Sequence, residues 1–122
     1  MATINGAFSP VSRGVVVATW SFATPASGDV GSAFDAAGYP DKTVAIEGLA
    51  STNTSAVVIE GVNIATGTYD TLNNPQDSAL SFTDNQVEVI LENPLLIRPR
   101  IDTATTSQGA VTVVITANSG KK

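Results

Sequence analysis

Any chemistry in this chain has to be built without histidine or cysteine, because its 122 residues contain neither. That removes the Ser-His and Cys-His nucleophile systems and the usual zinc sites, which need an imidazole or a thiolate. What remains are carboxylates. Glu47, Glu60, Glu88 and Glu92 all fall at predicted strand positions, and a glycosidase-type site needs two such groups flanking one bond. Glu88 and Glu92 stand an even number of residues apart, which is the spacing of two side chains on one exposed strand face. Asp77 and Asp84 are too isolated for a calcium loop of the D-x-D-x-D-G type, and neither a P-loop nor a dinucleotide fingerprint is present. The expectation is a protein that is not an enzyme, with no cofactor and no metal.

Arg98 and Arg100 are the most informative charges. They share one face of a predicted strand, and two guanidinium groups there suit bidentate contact with the carboxylates of a partner. The alternative is internal pairing with Glu88 or Glu92, worth little if exposed. A net charge of −5, with six basic residues and no three adjacent, argues against a nucleic-acid surface, which needs clustered cations. A sugar-binding sandwich would use Trp20, Tyr39 or Tyr69 as a platform. Trp20 sits mid-strand among Val and Phe, which favours a core anchor instead.

The elements that must position these residues are strands. In Gln86–Asp102, Val87, Val89 and Leu91 alternate with Glu88, Ile90 and Glu92, the period of a strand with one buried face. After Asn93-Pro94, Leu95, Ile97, Pro99 and Ile101 alternate with Leu96, Arg98, Arg100 and Asp102. If the two runs form a hairpin, parity requires an odd loop. A loop of Asn93–Leu95 sets Leu91 against Ile97, Val87 against Ile101, and Glu88 against Arg100. Pro99 cannot donate to a ladder, so its strand is expected at a sheet edge or with a bulge.

The rest of the chain reads in the same way. Strands are expected over Gly14–Phe22, Lys42–Leu49, Ser55–Ile64 (with Gly61 at a bulge or close backbone approach), Thr66–Leu72, Ala79–Thr83 and Ala110–Ala117. A loop with one helical turn near Ser32–Ala37 is expected between the first two, and Asn73–Asp77 is a further loop. Val15 and Val17, opposite the main apolar face of the first strand, point to partial burial on both faces. The resulting fold is all-β: a two-sheet antiparallel β-sandwich of seven or eight short strands, jelly-roll or immunoglobulin-like. Residues 1–13 read as an extended N-terminal arm, frayed or docked on a neighbour through Ile4, Phe8 and Val11. Residues 14–118 read as the sandwich, and 119–122 as a polar tail. The length fits one domain. No secretory signal and no apolar run of membrane-spanning length is visible, so no membrane partner is expected. Asn53-Thr54-Ser55 matches a glycosylation acceptor, read as chance.

The run from Val58 to Arg100, with VIEGVN, YDTLNNPQDSALSFT and ENPLLIRPRID, resembles small structural proteins of tailed bacteriophages. These are found among virion genes near the major capsid protein, and some are capsid decoration (cement) proteins of sandwich or jelly-roll type. The block covers about a third of the chain, with a looser echo in Ala37–Lys42 and in the terminal strand. Where that family carries a Gly-rich turn and a Gly after Pro-Gln, this chain has Ile64-Ala65-Thr66-Gly67 and Asp77. The resemblance implies a virion protein, made in the host cytoplasm, that binds the outside of the capsid lattice. Its partners would be the major capsid protein and copies of itself, as a dimer or trimer. The contact residues expected on that basis are Ile4, Phe8, Val11, Asn73, Asn74, Pro75, Arg98 and Arg100. A neck or tail position is the alternative within the virion.

Overall fold

The computed structural model describes residues 2–50 and 54–120, with no helix among them. Twelve strands run through the described residues. They are β1 (Thr3–Ile4), β2 (Ala7–Ser12), β3 (Val15–Phe22), β4 (Val30–Gly31), β5 (Phe34–Asp35), β6 (Asp41–Glu47), β7 (Ala56–Asn63), β8 (Thr68–Thr71), β9 (Ser81–Phe82), β10 (Gln86–Val89), β11 (Leu96–Thr103) and β12 (Val111–Asn118). Sheet 1 is ordered β1-β4-β11-β7-β8, with β5 also on β11 and β9 also on β7. Sheet 2 is ordered β10-β6-β12-β3-β2. Only the β1–β4 pair is parallel among these.

From β3 onward the chain changes sheet at almost every connection: β3 in sheet 2, β4 and β5 in sheet 1, β6 back in sheet 2, β7 to β9 in sheet 1, then β10, β11 and β12 alternating. β4 and β5 lie end to end along β11, as β8 and β9 do along β7. Taking each end-to-end pair as one interrupted strand and setting aside the flanking β1 and β2, four strands face four in the order of a jelly roll. The expected all-β antiparallel sandwich is therefore present, and its topology is the jelly roll, not the immunoglobulin one. The period-2 residues meet between the sheets: Ala18, Trp20 and Phe22 with Val113 and Ile115 from sheet 2, against Val57, Ile59, Ile97 and Ile101 from sheet 1. Each of these larger aliphatic side chains contributes about 1.5–3 kcal/mol on burial.

Crossing connections overturn the expected hairpin. β10 pairs with β6 (Val87 with Ala45, Glu88 with Val44) in sheet 2, whereas β11 pairs with β7 in sheet 1. Residues 90–95 carry the chain across the sandwich, with the Ile90 amide donating to Lys42 O and the Leu91 amide to Asn73 O. The buried face is also reversed: Ile90 is buried, while Val87 is 69% exposed. Alternation identifies two faces but not which one the opposing sheet covers. Pro99 likewise lies on an interior strand, not an edge. Ile101 exchanges bonds with Gly28 and Asp29, so the odd-numbered backbone groups of β11 face the β4/β5 side. The missing donor of Pro99 therefore falls where β4 gives way to β5. The strand does carry an irregularity, between Ile101 and Thr103.

Two further expectations change. The Ser32–Ala37 segment holds β5 instead of a helical turn, with Phe34 and Ala36 buried and Asp35 and Ala37 exposed. Residues 2–12 do not leave the domain. They form a strap from β1 in sheet 1 to β2 in sheet 2, anchored by the Ala2 amide on Asp29 Oδ1 at 2.8 Å. Asn53 of the acceptor triplet and Lys121–Lys122 of the tail lie outside the described residues. Gly61 does mark a close approach, since a Cβ there would lie 2.5 Å from Pro94 Cγ.

A methyl at Gly31 would sit 2.5 Å from Trp20 Cδ1 and 2.7 Å from Pro99 Cδ. Gly31→Ala should therefore lower unfolding free energy by about 1–3 kcal/mol through overpacking. Gly109→Ala, where a Cβ meets nothing within 4 Å, should stay within about 0.5 kcal/mol of wild type. Urea unfolding followed by Trp20 fluorescence reads both.

Candidate functional site

Arg98 and Arg100 project from the outer face of sheet 1, because Ile97 and Ile101 on either side of them point into the core. The register sets Arg98 opposite Glu60. Arg98 Nε donates to Glu60 Oε1 at 3.0 Å and Arg100 Nε to Glu60 Oε2 at 2.9 Å, while Arg100 Nη1 reaches Asp102 Oδ1 at 2.8 Å. The Arg98 guanidinium also lies 3.7 Å from the Tyr69 ring centroid, a cation–π contact. Burial opposes the charge on Arg100, but the hydrogen bonds and charges of Glu60 and Asp102 outweigh it and raise its pKa. The two arginines are thus paired internally, with Glu60 and Asp102 and not with Glu88 or Glu92. A lone Glu inside the apolar strand VVIEGV was the available signal.

Glu88 and Glu92 serve instead the loop expected at Asn73–Asp77. Glu92 accepts the Asn73 amide at 2.7 Å and Asn73 Nδ2 at 2.8 Å, and Glu88 accepts Asn74 Nδ2 at 3.1 Å. Asn74 Oδ1 accepts the amides of Gln76 and Ser78, which leaves Pro75 at an exposed tip. Beside this loop Lys42 is buried, donating to Tyr39 O at 2.8 Å and to Asn93 Oδ1. Burial pushes its pKa down, and the charges of Asp41 and Glu92 partly restore it. This corner ties β6 to the 90–95 crossing.

Of the expected arm contacts, Ile4 packs against the core. Phe8 meets Trp20 edge to face and Phe34 at a tilt, with centroids at 5.6 and 5.4 Å. Val11 is exposed at the irregularity between Pro10 and Ser12. Trp20 itself has no exposed surface and donates Nε1–H to Ser32 O at 2.9 Å, so no sugar can stack on it in the folded chain.

The surface not foreseen is the outer face of sheet 2. Its register builds two rows that span all five strands: Val87–Ala45–Val114–Thr19–Ala7 and Val89–Thr43–Thr116–Val17–Ser9. None of the ten is buried and none is charged. The flanking rows are Glu47–Thr112–Ser21 and Asp41–Asn118–Val15–Ser12. Interface centres are depleted of charge in this way. The partial burial expected at Val15 and Val17 was the visible trace of this face.

No family model matches the sequence, and no curated protein matches it. Among solved structures the chain is similar to the SPBc2 prophage-derived protein YomS, with a TM-score of 0.59 and 20% identity over 89% of this chain and 98% of that one. It is also similar to the PBSX exported protein XepA, with a TM-score of 0.59 and 19% identity over 83% of this chain. There it spans only 38% of the other protein's length. At these identities the likeness is one of fold.

Two outcomes follow from the charges. Glu60→Gln leaves Arg98 and Arg100 side by side without their shared carboxylate and should cost about 1–3 kcal/mol of stability in denaturant unfolding. For Lys42, the folded chain releases the proton at lower pH than the unfolded chain does. Between those two values the unfolded state binds more protons, so unfolding free energy rises with pH. Denaturant midpoints should climb for wild type relative to Lys42→Met as pH is raised toward the ordinary lysine range, and a constant difference would count against a strained buried ammonium.

Proposed function

We propose that this chain is a non-enzymatic phage structural protein that binds the outside of the capsid lattice and cements neighbouring major capsid subunits. The observation that carries this reading is the end-to-end fold likeness to a prophage-derived protein, over 98% of that protein's length. The resemblance of the Val58–Arg100 block to virion proteins supports it independently. Side chains with the greatest chemical potential also support it: Glu60, Glu88, Glu92 and Lys42 are each engaged in holding strands and crossings together. The function is then one of surfaces. Weak contacts repeated over a lattice add through effective concentration, so no single one has to be tight. The exposed points facing a capsid would be Val11, the Pro75 tip and the outer face of sheet 1 around Arg98 and Arg100.

Copy number per purified virion, measured by quantitative mass spectrometry against the major capsid protein, tests this reading. A simple fraction of the capsid lattice is the expected result. A single small ring's worth would move the protein to the neck or tail, and absence from the particle would sink the structural role.

A further inference from the structure

We propose that the outer face of sheet 2 joins two copies of this chain, back to back, about a two-fold axis running along β12. This deepens the capsid reading, because such a unit carries two outward surfaces and can bridge two subunits. Its test in solution needs no capsid.

The charge arrangement selects both the occupant and the axis. On this face the acidic groups, Asp41 and Glu47, sit at the two ends of β6, and exposed Arg13 sits in the turn joining β2 to β3, at the same end as Asp41. An in-plane axis across the strands would lay Asp41 over Glu47 of the partner subunit, acid on acid. An axis along β12 keeps strand ends together and exchanges left for right, so β6 lies over β3 of the partner subunit. Asp41 then meets the corner holding Arg13 of the partner subunit, and Glu47 meets Ser21 of the partner subunit. Thr116 and Val114, on the axis, meet their own counterparts.

The occupants other than a second copy fit less well. Nucleic acid and anionic lipid both require cations where this face carries carboxylates. A glycan needs an aromatic platform, and Trp20 and Phe22 of β3 point the other way, into the core. A chain with a net charge of −5 can self-associate only where its own charge is absent or internally complementary, and these rows are such a place. Five strands at about 4.8 Å spacing and four rows at about 6.8 Å give roughly 600 Å² per copy with side-chain overhang, so about 1,200 Å² in all, the lower bound for a specific interface. Twisted sheets stack face to face at about 30° without distortion.

Sedimentation equilibrium of the purified full chain at tens of micromolar should find a dimer. Thr116→Arg, which sets two guanidinium groups against each other on the axis, should weaken dimerisation at least about 100-fold, with Trp20 emission reporting an intact fold. Asp41→Arg should weaken it about tenfold, and adding Arg13→Asp to Asp41→Arg should recover most of that loss. A monomeric wild type, a trimer, a folded Thr116→Arg chain that dimerises normally, or a double swap no tighter than Asp41→Arg alone would each overturn the inference. None of those results alters virion copy number, so the two readings fail separately.

Discussion

Trp20 needs a partner for its indole N–H and space for its ring, and much of the fold is arranged around supplying both. The ring lies between the sheets with no exposed surface, and a buried donor left unsatisfied costs about 1–3 kcal/mol. The acceptor is the carbonyl of Ser32, available because the chain leaves its ladder between β4 and β5. That same interruption stands beside Pro99, which has no donor to offer a continuous partner strand. Gly31 lets the backbone pass against both the indole and the Pro99 ring, and the N-terminal strap closes over them with Phe8. One indole thus explains the broken strand, the tolerated proline and the strap.

The two outer faces handle polarity in opposite ways. Sheet 1 carries charged side chains and neutralises them locally, with Glu60 shared by two arginines and Asp102 beside Arg100. Sheet 2 carries almost none, and its two central rows are valine, threonine, alanine and serine. A charged network holds its members in fixed positions at low net gain. A neutral row leaves its surface free for another protein, because little has to be desolvated. This asymmetry gives the molecule one side whose charges are matched in place and one side whose apolar groups remain open to water.

Strand identity was legible in the sequence for β3 and from β6 onward, not for β1, β2, β4 and β5, and strand partnership was not legible. β3, β6, β7 and β12 fall within a residue or two of the alternating runs that announce them, because period-2 burial is a local property. The hairpin over Gln86–Asp102 failed because pairing is not local. Val87, Val89 and Leu91 alternate as well as any core strand, yet they face water, and the crossing at residues 90–95 sends β10 and β11 to different sheets. The arginine pair stood out in the sequence, but its carboxylate stood some forty residues away in β7. The neutral face of sheet 2 draws its rows from five strands, β2, β3, β6, β10 and β12. No single window of sequence contains it.

The position of β12 between β3 and β6 bears on how the molecule comes into being. Val113 is the partner of Trp20, roughly 90 residues downstream, and it also pairs with Ile46. Until Val111–Asn118 has left the ribosome, β3 and β6 have no strand to join them, and the apolar face that will hold the indole stays open. Loop-closure entropy makes such long-range pairing slow. The union of β3 with β6 therefore waits on β12, although β2 can pair with β3 and β10 with β6 before it.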